Sequence, residues 1–196
     1  MARVRRLGLW CGVVAGPLLL GVLVGQTLRN PDYDPGTAPI SSLALGRHGW
    51  VQIVTFIATG LLVAAFGASV VQAGPGSARR LAGVLLVVMG GGLVGVGAFV
   101  TDPVAWHGAV HNLATAVAIN AGLVAVLVLA VVWWRAGSRL AFTYGLATVA
   151  ACAVLGWSTD PATIAVRHTA VVAILGAWLT TAALICLRRP DGEPVT

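Results

Sequence analysis

The sequence predicts an all-α membrane protein: a six-helix transmembrane bundle with cytoplasmic N- and C-termini and the outer loop 29–47 as a lid. Three observations carry this. Of 196 residues 58% are hydrophobic and only 9% charged, with a mean hydropathy of +0.93, whereas soluble domains average about 25% charged residues. Six apolar stretches are each near or above the roughly 20 residues a helix needs to cross the hydrocarbon core. Short arginine clusters separate those stretches in a pattern that fits one topology.

The first stretch, Leu7–Leu28, follows Arg3, Arg5 and Arg6 and so begins like a secretory signal. Its apolar run is too long for a signal core and no small-residue cleavage site follows, so a retained helix is expected. The loop after it opens with Asn30-Pro31-Asp32-Tyr33-Asp34-Pro35-Gly36, whose prolines and Asx residues favour turns. Ile40-Ser41-Ser42-Leu43-Ala44-Leu45 can then form a short interfacial helix stopped by Gly46, and a loop of this kind can cover the mouth of the bundle. The remaining spans are Gly49–Ala73, Leu81–Thr101, His107–Trp134, Ala141–Ser158 and Ile164–Leu187. In lipid the backbone must satisfy its own hydrogen bonds, which makes each of these a helix. Residues 1–189 form one membrane domain and 190–196 a short polar cytoplasmic tail holding Asp191 and Glu193.

Orientation follows from the arginines, which supply all twelve basic residues. With six spans, nine of them (Arg3, Arg5, Arg6, Arg79, Arg80, Arg135, Arg139, Arg188 and Arg189) share one side. That side is expected to be the cytoplasm of a multi-pass cell-membrane protein. Five or seven spans would scatter the clusters over both faces. The same arrangement accounts for the net charge of +6 and excludes nucleic acid as a partner. Trp50, Trp106 and Trp157 are expected as anchors at the outer boundary, and Trp10, Trp133 and Trp134 at the inner one. Gly12/Gly16, Gly21/Gly25 and Gly91/Gly95 have the four-residue spacing that lets helices approach. Cys11, Cys152 and Cys186 lie singly in apolar stretches and read as buried small side chains. Thr101-Asp102-Pro103 and Thr159-Asp160-Pro161 echo each other, each followed by a histidine, which is slender evidence for duplicated helix pairs.

The informative feature is the gathering of ionisable residues at the outer ends: Asp32, Asp34, Asp102, Asp160, His48, His107, His111, His168 and Arg167. Such groups are costly in a membrane and usually face an interior cavity. His107 and His111, four apart, fall on one helical face. Each residue also has a plainer reading. Asp102-Pro103 and Asp160-Pro161 suit an N-cap followed by proline at the first helical position. His48 and His107 can be solvated at the interface, and Arg167 can reach headgroups or pair with an aspartate. Three chemistries fit the set. Histidines from this set with an aspartate suit zinc, although the glutamate of the zinc-protease motif is missing. Aspartate and histidine can instead exchange protons with an isoprenoid or acyl substrate. Paired histidines can ligate haem, but all four share one leaflet. The cofactor is left unknown.

Tyr33-Asp34-Pro35, Pro39-Ile40-Ser41-Ser42-Leu43-Ala44-Leu45-Gly46 and Gly49-Trp50 resemble the opening signature of the domain-of-unknown-function 998 family of bacterial and archaeal membrane proteins. Phe99-Val100-Thr101-Asp102-Pro103 with His107-Gly108-Ala109-Val110-His111-Asn112 resembles its second motif, and Arg167 and Trp178 sit where similar proteins carry an arginine and a tryptophan. The resemblance spans nearly the whole chain and implies a six-helix bundle with the same polar cluster, but no activity. His48 and His168 lie outside the motifs that carry it.

The functional expectation is a pocket that binds or converts a lipid or isoprenoid entering from the outer leaflet. Asp102, His107 and His111 are its candidate catalytic groups, and Asp102 with the two histidines its candidate metal ligands. Arg167, His168, Asp34, Ser41, Ser42, His48, Trp50, Trp106, Asn112 and Asp160 are its candidate binding residues. The alternative is a non-enzymatic transporter, sensor or partner subunit whose outer motifs are structural. Oligomeric state is not legible.

Overall fold

The computed structural model describes residues 2–74, 76–101, 105–157, 160 and 162–188. They form six helices: α1 (Ala2–Arg29), α2 (Gly49–Val71), α3 (Ser77–Ala98), α4 (Ala105–Arg135), α5 (Arg139–Trp157) and α6 (Ile164–Arg188). A 3-10 turn, Ile40–Leu45, lies between α1 and α2. All six helices are long and apolar enough to cross a membrane. Each packs on its neighbour in sequence, and α6 closes the ring against α1. Gly8 and Gly12 near the start of α1 meet Ser69 and Phe66 near the end of α2, and the later connections are short, so the ring runs up and down. One end therefore carries Arg3, Arg5, Arg6, Arg79, Arg80, Arg135, Arg139 and Arg188. The other, here the loop end, carries the connections after α1, α3 and α5. Leu61, Leu113, Leu140 and Val154 are among many large apolar side chains exposed on the outer surface, as lipid contact requires.

The most extensive seam joins α2 to α3 and rests on glycines seven apart. A Cβ on Gly67 would stand 2.6 Å from the Gly83 carbonyl oxygen, and one on Gly83 would stand 2.7 Å from that of Gly67. Gly60 and Gly90 meet in the same reciprocal way. The crossed order, 60 with 90 and 67 with 83, is that of antiparallel neighbours in backbone contact. Of the four-residue pairs expected from the sequence, Gly12 and Gly16 do pack, against Phe66 and Ala183 and against Gly176. Gly21, Gly25 and Gly91 face open space, and Gly95 meets only Ala114.

The α1–α6 contact solves a local problem. Pro17 lies inside α1 and has no N–H for the carbonyl of Val13, four residues earlier. Thr180 of α6 places its hydroxyl 3.3 Å from that carbonyl oxygen and 3.2 Å from its own Gly176 carbonyl. In lipid such a side chain is a main way to satisfy a carbonyl that proline orphans. Thr180→Val should therefore cost about 1 kcal/mol, the usual net worth of one hydrogen bond. Pro17→Ala should erase most of that cost by restoring the helical N–H. Unfolding measured on both single variants and the double would show the coupling; equal Thr180→Val effects in the two backgrounds would refute it.

The adjacent tryptophans near the end of α4 diverge. Trp134 is exposed, but Trp133 is buried in the core with its ring centre 6.3 Å from that of Trp178. Neighbouring positions on a helix lie about 100° apart, so only one of the pair can face lipid. The expectation that Trp133 anchors at the boundary is corrected. Trp10, Trp50 and Trp106 are exposed, and the side chain of Trp157 lies outside the description.

Candidate functional site

At the loop end the chain folds back onto the bundle. Asp34 closes a turn by accepting hydrogen bonds from Gly36 N–H (2.8 Å) and the Thr37 hydroxyl (2.8 Å). These bonds hold its carboxyl below the usual carboxylate range. Tyr33 tucks its ring into the bundle and donates its hydroxyl to the Ala38 carbonyl; burial pushes that phenol upward. The 3-10 turn follows where a short helix was expected, and Gly46 ends it by donating its N–H to Leu43. Ile40 and Leu43 are buried with Leu19, Leu23, Phe56 and Val96. The turn is thus packed into the bundle end by Ile40 and Leu43 rather than lying along the interface.

Beneath this turn is a cavity of about 380 Å³ among α2, α3, α4 and α6. Among the described residues, Ser41, Thr101, His111, Asn112, Thr115 and His168 are the polar side chains on its wall, and the rest of that lining is apolar. A slot of about 40 Å³ continues inward between α1, α2, α3, α4 and α6. The two spaces share Leu93, Ala118, Ile119 and Val172 as a neck. The cavity wall positions on α4 (His111, Asn112, Thr115, Ala118 and Ile119) and on α6 (Ile164, Ala165, His168 and Val172) each recur at helical spacing, so each is one face.

His111 is the most enclosed ionisable group on the wall, at 5% exposure. Its Nδ1 lies 2.8 Å from the carbonyl oxygen of Phe99, the residue that caps α3. A carbonyl only accepts, so Nδ1 carries the proton. In the neutral ring Nε2 is then the acceptor. One histidine thus ties the end of α3 to α4 while standing in the cavity wall.

His107, expected to work beside His111, is placed differently. It is not on the cavity wall, and its ring stands edge-on to Trp106 with centres 4.0 Å apart and 6.3 Å from Phe99. Arg167 is engaged in the α5–α6 connection. It donates to the carbonyls of Leu155 (2.9 Å) and Asp160 (2.8 Å) and to the Thr163 hydroxyl (3.0 Å). Asp160 accepts from Ala162 N–H and from Thr163 in the same turn. Because α6 starts only at Ile164, and Arg167 N–H bonds the Thr163 carbonyl, Asp160 shapes the approach to the helix and does not cap it. Ser42 bonds back to Pro39; His48 and Trp50 are exposed at the start of α2. Asp102, with Pro103, lies outside the described residues. Of the expected residues the cavity gathers Ser41, His111, Asn112 and His168; it does not gather His107, Trp106, Arg167, Asp160, Asp34, Ser42, His48 or Trp50. Among the described residues no three His, Cys, Asp or Glu side chains are grouped as a metal would need.

The polar interior also holds residues that sequence reasoning passed over. Thr115 lies on the cavity wall and Thr59 on the slot, each with a buried hydroxyl lacking a hydrogen-bond partner. Gln52 is fully buried and accepts a hydrogen bond from Gln26. The signal was available: Gln52, Thr55 and Thr59 are polar residues at helical spacing within one span.

Fold and cavity define a multi-helix membrane protein with an internal space open to polar and apolar groups together. The chain belongs to the DUF998 family, described as proteins of unknown function, whose model matches residues 13–187. No curated protein and no solved structure matches the chain.

Proposed function

We propose that this is a cell-membrane protein that binds a lipid- or isoprenoid-like amphiphile in the loop-end cavity. The cavity carries the proposal: at about 380 Å³ it falls within the roughly 300–1,000 Å³ of small-molecule sites. Its polar groups also sit at the wider, outward part of an otherwise apolar space. The arginine clusters support a cytoplasmic placement of the opposite end and of both termini, which puts the cavity in the outer leaflet. The 3-10 turn then serves as its lid.

For chemistry, His111 is the acid–base candidate, because its neutral form presents Nε2 as acceptor. Asp102, next in sequence to the wall residue Thr101, remains the proposed acid or metal-ligand partner. A second reading, binding without turnover by a sensor or transporter, is favoured by Arg167, Asp160 and Asp34. Their hydrogen bonds serve turns and connections.

Lipid mass spectrometry on gently purified protein tests the common core. One amphiphile should be retained near stoichiometry and depleted several-fold when Ile119→Trp fills the neck. Retention equal in the two proteins, with the variant melting normally, would sink the proposal.

A further inference from the structure

The wall of the cavity says what kind of headgroup it takes. Its polar side chains are Ser41, Thr101, His111, Asn112, Thr115 and His168, and no carboxylate or arginine is among the described lining residues. Arg167, the cation the sequence put forward as an anion holder, is committed to Leu155, Asp160 and Thr163. A phosphate seated against His111, which is buried, would give up hydration with no arginine among the described lining residues to pair it, and a buried charge without a fixed partner is disfavoured. Hydroxyl and carbonyl oxygens meet no such penalty. They match the Thr115 hydroxyl, which is buried without a partner, the Asn112 amide, and an acceptor nitrogen on His111. Beyond them, across the shared Leu93, Ala118, Ile119 and Val172, lies a slot of about 40 Å³, too small for a headgroup and with room for only a short length of one chain.

Resting on the binding reading above, we infer that the ligand is a single-chain amphiphile with an uncharged, oxygen-bearing head and not a phosphorylated one. The chain passes Leu93, Ile119 and Val172 toward Thr59, and the head stays among Thr115, Asn112 and His111.

The test uses the full-length protein in lipid nanodiscs at pH 7.5. Two matched probe pairs share a chain and differ in the head: geranylgeraniol with geranylgeranyl monophosphate, and monooleoylglycerol with monooleoyl lysophosphatidate. Binding is read by native mass spectrometry and by the shift in melting temperature. The neutral member of at least one pair should bind at least about tenfold tighter than its phosphate, the discrimination an unpaired buried charge enforces. Thr115→Val should weaken the neutral member while leaving the unliganded melting temperature in place. Equal binding, or tighter binding of the phosphate, overturns this inference and leaves the binding site standing. No binding by any probe, together with no effect of Ile119→Trp on retained lipid, overturns both.

Discussion

Gly67→Leu should splay α2 from α3 and cost about 3 kcal/mol or more, the upper end of overpacking penalties. The magnitude follows from what the new side chain meets. Its Cβ would lie 2.6 Å from the Gly83 carbonyl oxygen and 2.8 Å from the Val87 nitrogen, both backbone atoms of the facing helix. A flexible side chain can yield by rotating; a helix backbone yields only by moving the whole helix. Relief has no local route, and the seam at Gly60 and Gly90 would open with it. Gly21→Leu is the control, since nothing lies within 4 Å of a Cβ there. It should be neutral or slightly stabilising, because leucine is the better helix former by somewhat under about 1 kcal/mol. Unfolding in detergent, followed by loss of helical signal, separates the two. Equal stability of the variants would show that the α2–α3 contact is looser than described. Gly67 lies toward the arginine end, so its effect on binding should follow from unfolding alone.

The second large effect is expected at His111, where structure and function meet. His111→Ala removes the donor to the Phe99 carbonyl at the end of α3. An orphaned carbonyl costs about 1–3 kcal/mol, and the lost ring adds a packing deficit. Ligand retention should fall with it, but alanine alone confounds stability with binding. His111→Asn separates them, because its side-chain amide can stand near the position of Nδ1 and donate to Phe99 while offering nothing in place of Nε2. Melting temperature should recover most of the way and ligand retention should not. If asparagine restores both, the second ring nitrogen has no role and His111 is a helix tie only.

The contrast between the two histidines of α4 shows how far the sequence reached. Their four-residue spacing places them on one face, and that much is geometry along a single helix. What each meets depends on α3. The chain leaves α3 at Phe99, whose carbonyl receives His111, while the Phe99 ring joins His107 and Trp106 at the rim. Arg167 makes the same point. Its charge was legible, but its use as a clasp between the end of α5 and the start of α6 depends on Leu155 and Asp160 lying within its reach.

The sequence by itself determined the six spans, their up-and-down order, the turn that begins at Ile40, and the gathering of arginines at one end. These follow from terms that add along the chain: span length against the hydrocarbon thickness, charge against lipid, and proline and glycine against helix continuation. Only the tertiary structure decided which faces look inward. It paired glycines seven apart on α2 and α3 while using only Gly12 and Gly16 fully among the four-residue pairs, turned Trp133 in and Trp134 out, set Thr180 beneath the carbonyl that Pro17 leaves unserved, and opened a cavity lined by His111, Asn112, Thr115 and His168. The physical reason is that lipid is as apolar as a helix surface. Hydrophobicity therefore does not distinguish the buried face from the exposed one, and close packing with the neighbouring helices makes that choice.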